Sequence, residues 1–175
     1  GSEKPTQAIM QRPPRAKTER LLTKGALVRA YLFLGFFEAL AGMCAYLYVM
    51  HNGGWRWPLT VSPTAYFYLQ ATTACLAGII VTQIANVFTC RSSLLSITTL
   101  GLFSNPLVLG GVATELVLAG FIIYTPLGNS LFGCAPIGFD VWLLLIPFAL
   151  LLLTADEVRK YVVRRGQMSI VPDKT

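Results

Sequence analysis

Residues 107–124 read LVLGGVATELVLAGFIIY, a stretch apolar enough to cross a lipid bilayer that carries a single charged residue, Glu115. Placing an ionised carboxylate in the middle of a membrane-spanning helix costs about 2.5–3.5 kcal/mol on insertion scales. Such a residue usually faces a partner, an ion or a water-filled path rather than lipid. The stretch therefore predicts a transmembrane helix, and Glu115 predicts that another segment offers it a polar surface.

Four stretches of the chain are long and apolar enough to span a membrane: residues 26–50, 65–89, 107–124 and 141–158. A spanning helix needs about 20 mostly apolar residues. Only 13% of the 175 residues are charged, whereas soluble domains average about 25%. Because lipid offers no partner to backbone polar groups, the spans should be helical. The sequence predicts an all-α membrane protein with four antiparallel transmembrane helices.

The basic residues predict the orientation of these helices, because most of them precede or enter the first span or follow the last one. They are Lys4, Arg12, Arg15, Lys17, Arg20, Lys24, Arg29, Arg159, Lys160, Arg164, Arg165 and Lys174. By the positive-inside rule both termini are cytoplasmic. Residues 1–25 are then a cytoplasmic connector, residues 26–158 the membrane domain and residues 159–175 a basic cytoplasmic tail. We expect a multi-pass protein of the plasma (inner) membrane.

The net charge of +6 follows from this topology and indicates contact with anionic lipid of the bilayer. A nucleic-acid partner is not predicted, because no soluble folded face carries the basic residues. Cys44, Cys75, Cys90 and Cys134 are scattered without the spacing of a metal or redox motif.

Span two offers Glu115 the best candidate partners, since its inner half contains Thr82, Gln83 and Asn86. Gln83 and Asn86 are three residues apart and share a helix face. Carboxamide and hydroxyl oxygens ligate hard cations, and they also form hydrogen bonds between packed helices. Both interpretations stay open, and the ion site requires that Glu115 face this pair. Glu38 in span one is predicted chiefly to bond a neighbouring helix, with ion ligation as the alternative.

Other residues are predicted to shape the helices. Gly35 and Gly42, with Ala39 between them, would let another helix approach span one closely. Span four is rich in leucine and contains Pro147, which predicts a kink. Because it lacks a polar residue before Thr154, we predict a peripheral, lipid-facing helix.

Five segments of the chain, in order and at matching spacing, resemble one family. They are IMQRPPR at 9–15 (with Arg12 and Arg15), GFFEALAG at 35–42, VTQIAN at 81–86, Glu115 with YTP at 124–126, and DEVRK at 156–160. Together they resemble the C-terminal membrane region, helices seven to ten, of P-type cation-transporting ATPases. The branch is the one of the calcium pumps and the sodium/potassium pump, and a prokaryotic homologue is expected.

The resemblance implies a peripheral ion site formed by Gln83, Asn86 and Glu115. Gln83 matches a helix-eight glutamine of the sodium/potassium pump, or the calcium-ligating glutamate of the calcium pumps, and Asn86 stands where the sodium/potassium pump has an aspartate. Glu115 matches a helix-nine glutamate associated with that pump's third sodium site, which the calcium pumps lack. Glu38 matches a glutamine, so no role carries over to it. Calcium and sodium-, potassium- or proton-like cargo remain open.

The resemblance also implies partners. These are the remaining domains and helices one to six of the pump, the transported cation, and an accessory subunit at the outside loops. The full pump would use ATP and magnesium. This chain contains neither the phosphorylation aspartate motif nor a nucleotide-binding domain, so we expect no cofactor in it and no ATP hydrolysis by it alone. Two alternatives are a free-standing four-helix transporter or channel with an intramembrane glutamate, and a purely structural membrane subunit.

Overall fold

The computed structural model describes residues 24–56, 60–62, 64–92 and 95–168, and these residues form helices and no strands. The helices are α1 (Lys24–Val28), α2 (Gly35–Asn52), α3 (Tyr66–Cys90), α4 (Ile97–Leu100), α5 (Pro106–Tyr124), α6 (Pro126–Phe132) and α7 (Phe139–Met168). A π-helical segment, Arg29–Leu34, joins α1 to α2. Four helical stretches within this part are long and apolar enough to cross a membrane: Arg29–Asn52, Tyr66–Cys90, Pro106–Tyr124 and Phe139–Arg165. The predicted all-α membrane architecture is confirmed.

Several predictions fall outside these residues or remain open. Arg12, Arg15 and nearly all of the predicted connector lie outside the described residues. The cytoplasmic placement of the termini stays a prediction. Helix α7 continues to Met168, ten residues beyond the predicted end of span four, and the division into a membrane domain and a basic cytoplasmic tail stays a prediction.

Capping residues in the sequence define where α5 and α6 begin. Asn105 caps α5, because its side-chain oxygen accepts hydrogen bonds from the backbone N–H groups of Leu107 at 3.1 Å and Val108 at 3.4 Å. Pro106 occupies the first turn, where a missing N–H costs nothing. Thr125 caps α6 by accepting from the Gly128 N–H at 3.0 Å. These caps fix where α5 begins and where the chain turns after it.

Side-chain contacts show that successive long helices run antiparallel. At one end, Arg29 reaches both the Thr89 carbonyl at 3.4 Å and the Asp156 carboxylate at 3.1 Å, so the start of the first long helix meets the ends of α3 and α7. We call this the basic end of the bundle. At the opposite end, the Gln70 amide donates to the Pro136 carbonyl at 2.8 Å. The Tyr124 hydroxyl also donates there, to the Ile137 carbonyl at 3.1 Å.

Helix α3 is the central helix, packing against both α2 and α7. Its buried face consists of small residues, among them Ala71, Ala74 and Ala77, all fully buried. Where α2 crosses α3, a Cβ added to Gly78 would lie 2.8 Å from the Gly42 Cα. Small residues on both helices therefore bring two backbones into contact. Gly42 lies at this crossing, whereas a Cβ on Gly35 would meet only the Ala30 carbonyl at 3.5 Å.

The predicted peripheral position of span four is wrong within this chain. Helix α7 buries Val141, Leu145 and Leu152 in the core, whereas α5 buries only Ala119 and Ile123. The buried residues of α7 recur at helical spacing, but leucines on its other faces conceal that stripe in the sequence. Helix α7 continues through Pro147, which lies on the exposed side. The least buried long helix is therefore α5, which carries Glu115.

Candidate functional site

The polar side chains in the inner half of α3 lie on different faces of the helix. Thr82 is buried, and its hydroxyl donates to the carbonyls of Gly78 at 2.8 Å and Ile79 at 3.0 Å, one turn earlier in the same helix. Gln83 is exposed, and its side chain makes no hydrogen bond to any described residue. Thr82 therefore faces the core of the bundle, whereas Gln83 faces outward and is available to a partner.

Asn86 is half-buried, and its side-chain oxygen is occupied within its own helix. That oxygen accepts from the Thr89 hydroxyl at 3.0 Å and from the Cys90 thiol at 3.2 Å. A cation bound to this oxygen would compete with both donors. Asn86 is thus held in place at the end of α3, and ion ligation would require a rearrangement of this local network.

Glu115 lies half-buried on α5 and makes no hydrogen bond or ion pair with the described residues. Glu115 is nine residues from the start of α5, which places it roughly 14 Å along the helix axis. Gln83 is seven residues from the end of α3, hence roughly 10 Å from the same basic end. The depths are comparable, but no bond joins Glu115 to Gln83 or Asn86 in the described chain. The shared ion site stays a prediction.

Glu38 lies in a groove of about 300 Å³ between α2 and α3, which is lined by Gly35, Glu38, Ala39, Gly42, Cys75 and Ile79. The side chain of Glu38 is half-buried and makes no hydrogen bond to the described residues. The expected bond to a neighbouring helix of this chain is therefore absent from the described part. Its part in an ion site stays a prediction.

The most strongly connected polar site is one that sequence reasoning missed. Asp156 on α7 is fully buried and accepts on one carboxylate oxygen from Arg29 at 3.1 Å and from Arg159 at 2.8 Å. Its second oxygen lies 3.0 Å from the ammonium nitrogen of Lys160, which is also fully buried. Because Arg29 also donates to the Thr89 carbonyl, Asp156 joins the first long helix, α3 and α7.

The adjacent acid, Glu157, extends this network to the loop before α5. Its carboxylate accepts from the Ile97 backbone N–H at 3.0 Å and lies 3.4 Å from Lys160. The same loop is held from the other side by Arg91, which donates to the Gly101 carbonyl and the Ser104 hydroxyl, each at 2.7 Å. The pair of acids therefore fixes the connections at the basic end of the bundle.

The sequence predicts that span four ends at residue 158 and that the basic tail begins at residue 159, which places Asp156, Glu157, Arg159 and Lys160 at the predicted membrane boundary. The missed signal was the spacing of Asp156 and Lys160, four residues apart and therefore neighbours on one helix face. A second signal was Arg29, a charged residue inside an apolar span. In the described part of the chain, no group of three or more His, Cys, Asp and Glu side chains is arranged to hold a metal ion.

Comparison with known proteins defines the family. Residues 1–162 match the sequence model of a family described as "Cation transporting ATPase, C-terminus". The chain belongs to this family. The match begins before the first apolar helix and ends at residue 162, so it covers the first three long helices and most of the last one. The expected relation to the C-terminal membrane region of P-type cation pumps is thus confirmed, and the chain is a multi-pass membrane segment.

Individual relatives within this family are long proteins. The chain is 27% identical to potassium-transporting ATPase alpha chain 1 of Xenopus laevis, over 93% of this chain and 18% of that protein. It is 26% identical to potassium-transporting ATPase alpha chain 2 of Oryctolagus cuniculus, over 93% and 17%. It is 25% identical to sodium/potassium-transporting ATPase subunit alpha-4 of Rattus norvegicus, over 93% and 18%. The chain spans less than a fifth of the length of these relatives. The calcium branch and a prokaryotic origin stay predictions.

Proposed function

We propose that this chain is the C-terminal membrane segment of an ATP-driven pump that moves cations across the plasma membrane. The observation that supports this most directly is the family match over residues 1–162, which contains three of the four long apolar helices of the described chain and most of the fourth. In this proposal the remaining pump domains bind ATP with magnesium and contribute the principal ion ligands. The segment supports the transport core and supplies polar groups at its edge.

Two polar side chains without partners suggest where the transport core of the pump would dock on this segment. Gln83 and Glu115 have no partner among the described residues, and they lie at similar depths on α3 and α5. The exposed residues around Glu115 on α5 include Leu116 and Val117. Because α5 is largely exposed, the Glu115 carboxylate would face either lipid or further helices. Contact with further helices is favoured, since lipid would leave the charge unpaired. The remaining membrane helices of the pump are the proposed partner, and an accessory subunit at the outside loops is a further one.

The charge of the proposed site favours a monovalent cation. Glu115 is its only carboxylate, and Gln83 and Asn86 contribute uncharged amide oxygens. Calcium sites generally use six to eight oxygen ligands with several carboxylates, and the affinity depends on the ligand charge. The three relatives described above are named for potassium or for sodium and potassium. We therefore propose sodium, potassium or a proton as cargo, with calcium as the less supported alternative.

Replacing Glu115 by glutamine in the full-length protein is expected to raise the cation concentration that gives half-maximal ATPase activity by about tenfold. The glutamine keeps the shape but removes the charge, and a lost charge-assisted interaction of about 1.4 kcal/mol corresponds to a factor of ten. The measurement is ATPase activity of the purified protein titrated separately with sodium, potassium and calcium, at two pH values.

The matched control is Thr114→Val, because Thr114 precedes Glu115 on α5 and its hydroxyl bonds only the Gly110 carbonyl of the same helix, at 2.9 Å. It should leave the curves unchanged. Absence of any cation-stimulated ATPase activity in the unmodified protein would refute the proposed pump. Stimulated activity with identical curves for Glu115→Gln and Thr114→Val would refute only the ligand role of Glu115. A shift for Glu38→Gln instead would move the site to the α2–α3 groove.

A further inference from the structure

A cavity of about 310 Å³ lies at the end of the bundle opposite the basic end, where the end of α2 meets the beginnings of α3 and α7. Ligand pockets in proteins enclose about 300–1,000 Å³, so this cavity can hold a small organic molecule. Its lining includes Val49, Ile137 and Val141, which are buried residues of the main core. It also includes Asn52 and Asp140, which are exposed. The cavity therefore has an apolar wall inside the bundle and a polar rim at the surface.

Asp140 is the only charged residue among the described residues that line the cavity. It lies in the first turn of α7, where the helix dipole favours a negative charge. Its carboxylate makes no hydrogen bond or ion pair with the described residues, and one of its oxygens lies beside Gly138, in the space that a Cβ would occupy. Arg56, at the same end, donates instead to the backbone carbonyls of His51 and Trp55. The rim of the cavity thus carries one negative charge without a counterion in the described chain.

Neutral acceptors and aromatic rings complete the lining. The Gln70 amide nitrogen donates to the Pro136 carbonyl at 2.8 Å, which leaves the Gln70 side-chain oxygen without a donor in the described chain. Tyr48 and Phe67 are half-buried members of the lining, and organic ammonium groups interact favourably with aromatic rings. A metal ion is less well matched, because the described residues include no group of three or more His, Cys, Asp and Glu side chains that could hold one.

We propose that this cavity binds a small organic amine in its protonated form, with the ammonium group at Asp140 and an apolar substituent against the apolar wall. The position of the charge favours a free amine. A lipid headgroup, or a lysine side chain of another protein, carries its ammonium at the tip and would bring it to the apolar wall first, away from Asp140. A free amine with an apolar substituent places both of its parts against matching surfaces. This proposal does not depend on the proposed transport activity.

The test uses two probes of the same shape, phenethylamine and the uncharged phenethyl alcohol. The full-length protein is reconstituted in phosphatidylcholine nanodiscs, and the binding of each probe is measured by isothermal titration calorimetry, with empty nanodiscs as the blank. We expect the amine to bind the unmodified protein at least about tenfold more tightly than the alcohol, the usual effect of a hydrogen bond to a charged group. Asp140→Asn should abolish this preference, because it keeps the shape of the rim and removes its charge.

A second pair of variants adds a carboxylate at this end of the bundle. Asn52→Asp places it on the rim of the cavity, whereas Ser62→Asp places it on an exposed residue that does not line the cavity. Asn52→Asp should strengthen binding of the amine about fivefold, the factor that one unit charge contributes at about 4 Å in water. Ser62→Asp should leave binding unchanged, because water and salt screen a charge outside the cavity.

The proposal is overturned if neither probe binds, if the amine and the alcohol bind the unmodified protein equally, or if Asp140→Asn retains the preference for the amine. Equal strengthening by both added carboxylates would also overturn it, since the attraction would then be a general effect of surface charge. So would weaker amine binding in nanodiscs that contain phosphatidylethanolamine, because a lipid headgroup would then be the occupant of the cavity.

Discussion

Replacing Asp156 by asparagine is expected to destabilise the bundle by about 3–5 kcal/mol, the usual effect of breaking a buried ion pair by removing one partner. Asparagine can still accept a hydrogen bond from Arg29 or Arg159 through its oxygen. Its NH₂ group, however, would face Lys160, whose ammonium lies 3.0 Å from the present carboxylate oxygen and is fully buried. Lys160 would keep only the Glu157 carboxylate, which lies farther away at 3.4 Å, and the lost pairing with Asp156 is the source of the expected destabilisation.

The measurement is thermal unfolding of the full-length protein in detergent micelles, followed by circular dichroism of the helices. The expected loss should lower the midpoint of the unfolding transition by several degrees. Asp140→Asn is the matched control, because Asp140 is an exposed acid in the first turn of the same helix. Its favourable interaction with the helix dipole is worth only about 0.3–1 kcal/mol. Equal midpoints for the two variants would show that the Asp156 network does not hold the helices together.

A double variant distinguishes the loss of the Asp156–Lys160 ion pair from the loss of side-chain packing at these two positions. Asp156→Leu combined with Lys160→Met removes both fully buried charges and keeps most of their volume. Replacing a buried pair by apolar residues is often neutral or stabilising, so the double variant should regain most of the lost stability. Arg29 and Arg159 are partly exposed and can reach water once Asp156 is gone. A double variant as unstable as Asp156→Asn would indicate that the arginines depend on Asp156 for their placement.

The sequence predicted the membrane class of the fold because hydropathy and length act on each segment independently. Asn105 followed by Pro106 correctly indicated the start of α5, because a helix cap depends only on residues that are neighbours in the sequence. Which helix is central depends on contacts between segments, and this information is weak in the sequence. Helix α3 is central because its small residues let α2 approach closely. The buried residues of α7 are not recognisable from the sequence, because leucines also occupy its exposed faces.

The candidate site was predicted less completely, since polar residues in apolar helices stand out but their partners do not. Gln83 and Glu115 stand out because each is a polar residue in an apolar span, but neither has a partner among the described residues, and their role in an ion site stays a prediction. The burial and pairing of Asp156 and Lys160 were not predicted, because charged residues near the end of an apolar span are typical of the membrane boundary. Only the packing of Arg29 against α7 shows that these charges lie inside the bundle.

The different burial of the helices relates to the proposed transport role. Helices α2, α3 and α7 share a core in which Ala74, Leu145 and Val49 are buried together. Helix α5 joins that core mainly through Ile123, near its end. Glu115 therefore lies on the long helix that packs least against the rest of this chain. In the proposed pump, this helix has the most surface left for contact with other membrane helices.

Replacing Gly78 by alanine is expected to destabilise the bundle by about 1–3 kcal/mol, the usual effect of forcing extra atoms into a packed interior. The added Cβ would lie 2.8 Å from the Gly42 Cα and 2.9 Å from its backbone nitrogen. Both are backbone atoms of α2, so no side chain can rotate away, and the two helices must separate. The measurement is again the unfolding midpoint of the full-length protein in detergent.

The matched control is Gly110→Ala on α5, where an added Cβ meets nothing within 4 Å in the described chain. Alanine favours a helix over glycine by about 0.8–1 kcal/mol, so this variant should be unchanged or slightly more stable. The two variants make the same chemical change in apolar helices, and their effects should have opposite signs because only Gly78 touches another backbone. A stabilising effect of Gly78→Ala would mean that α2 and α3 do not cross in contact at this position. A destabilising effect of Gly110→Ala would show instead that another segment packs on the Gly110 face of α5.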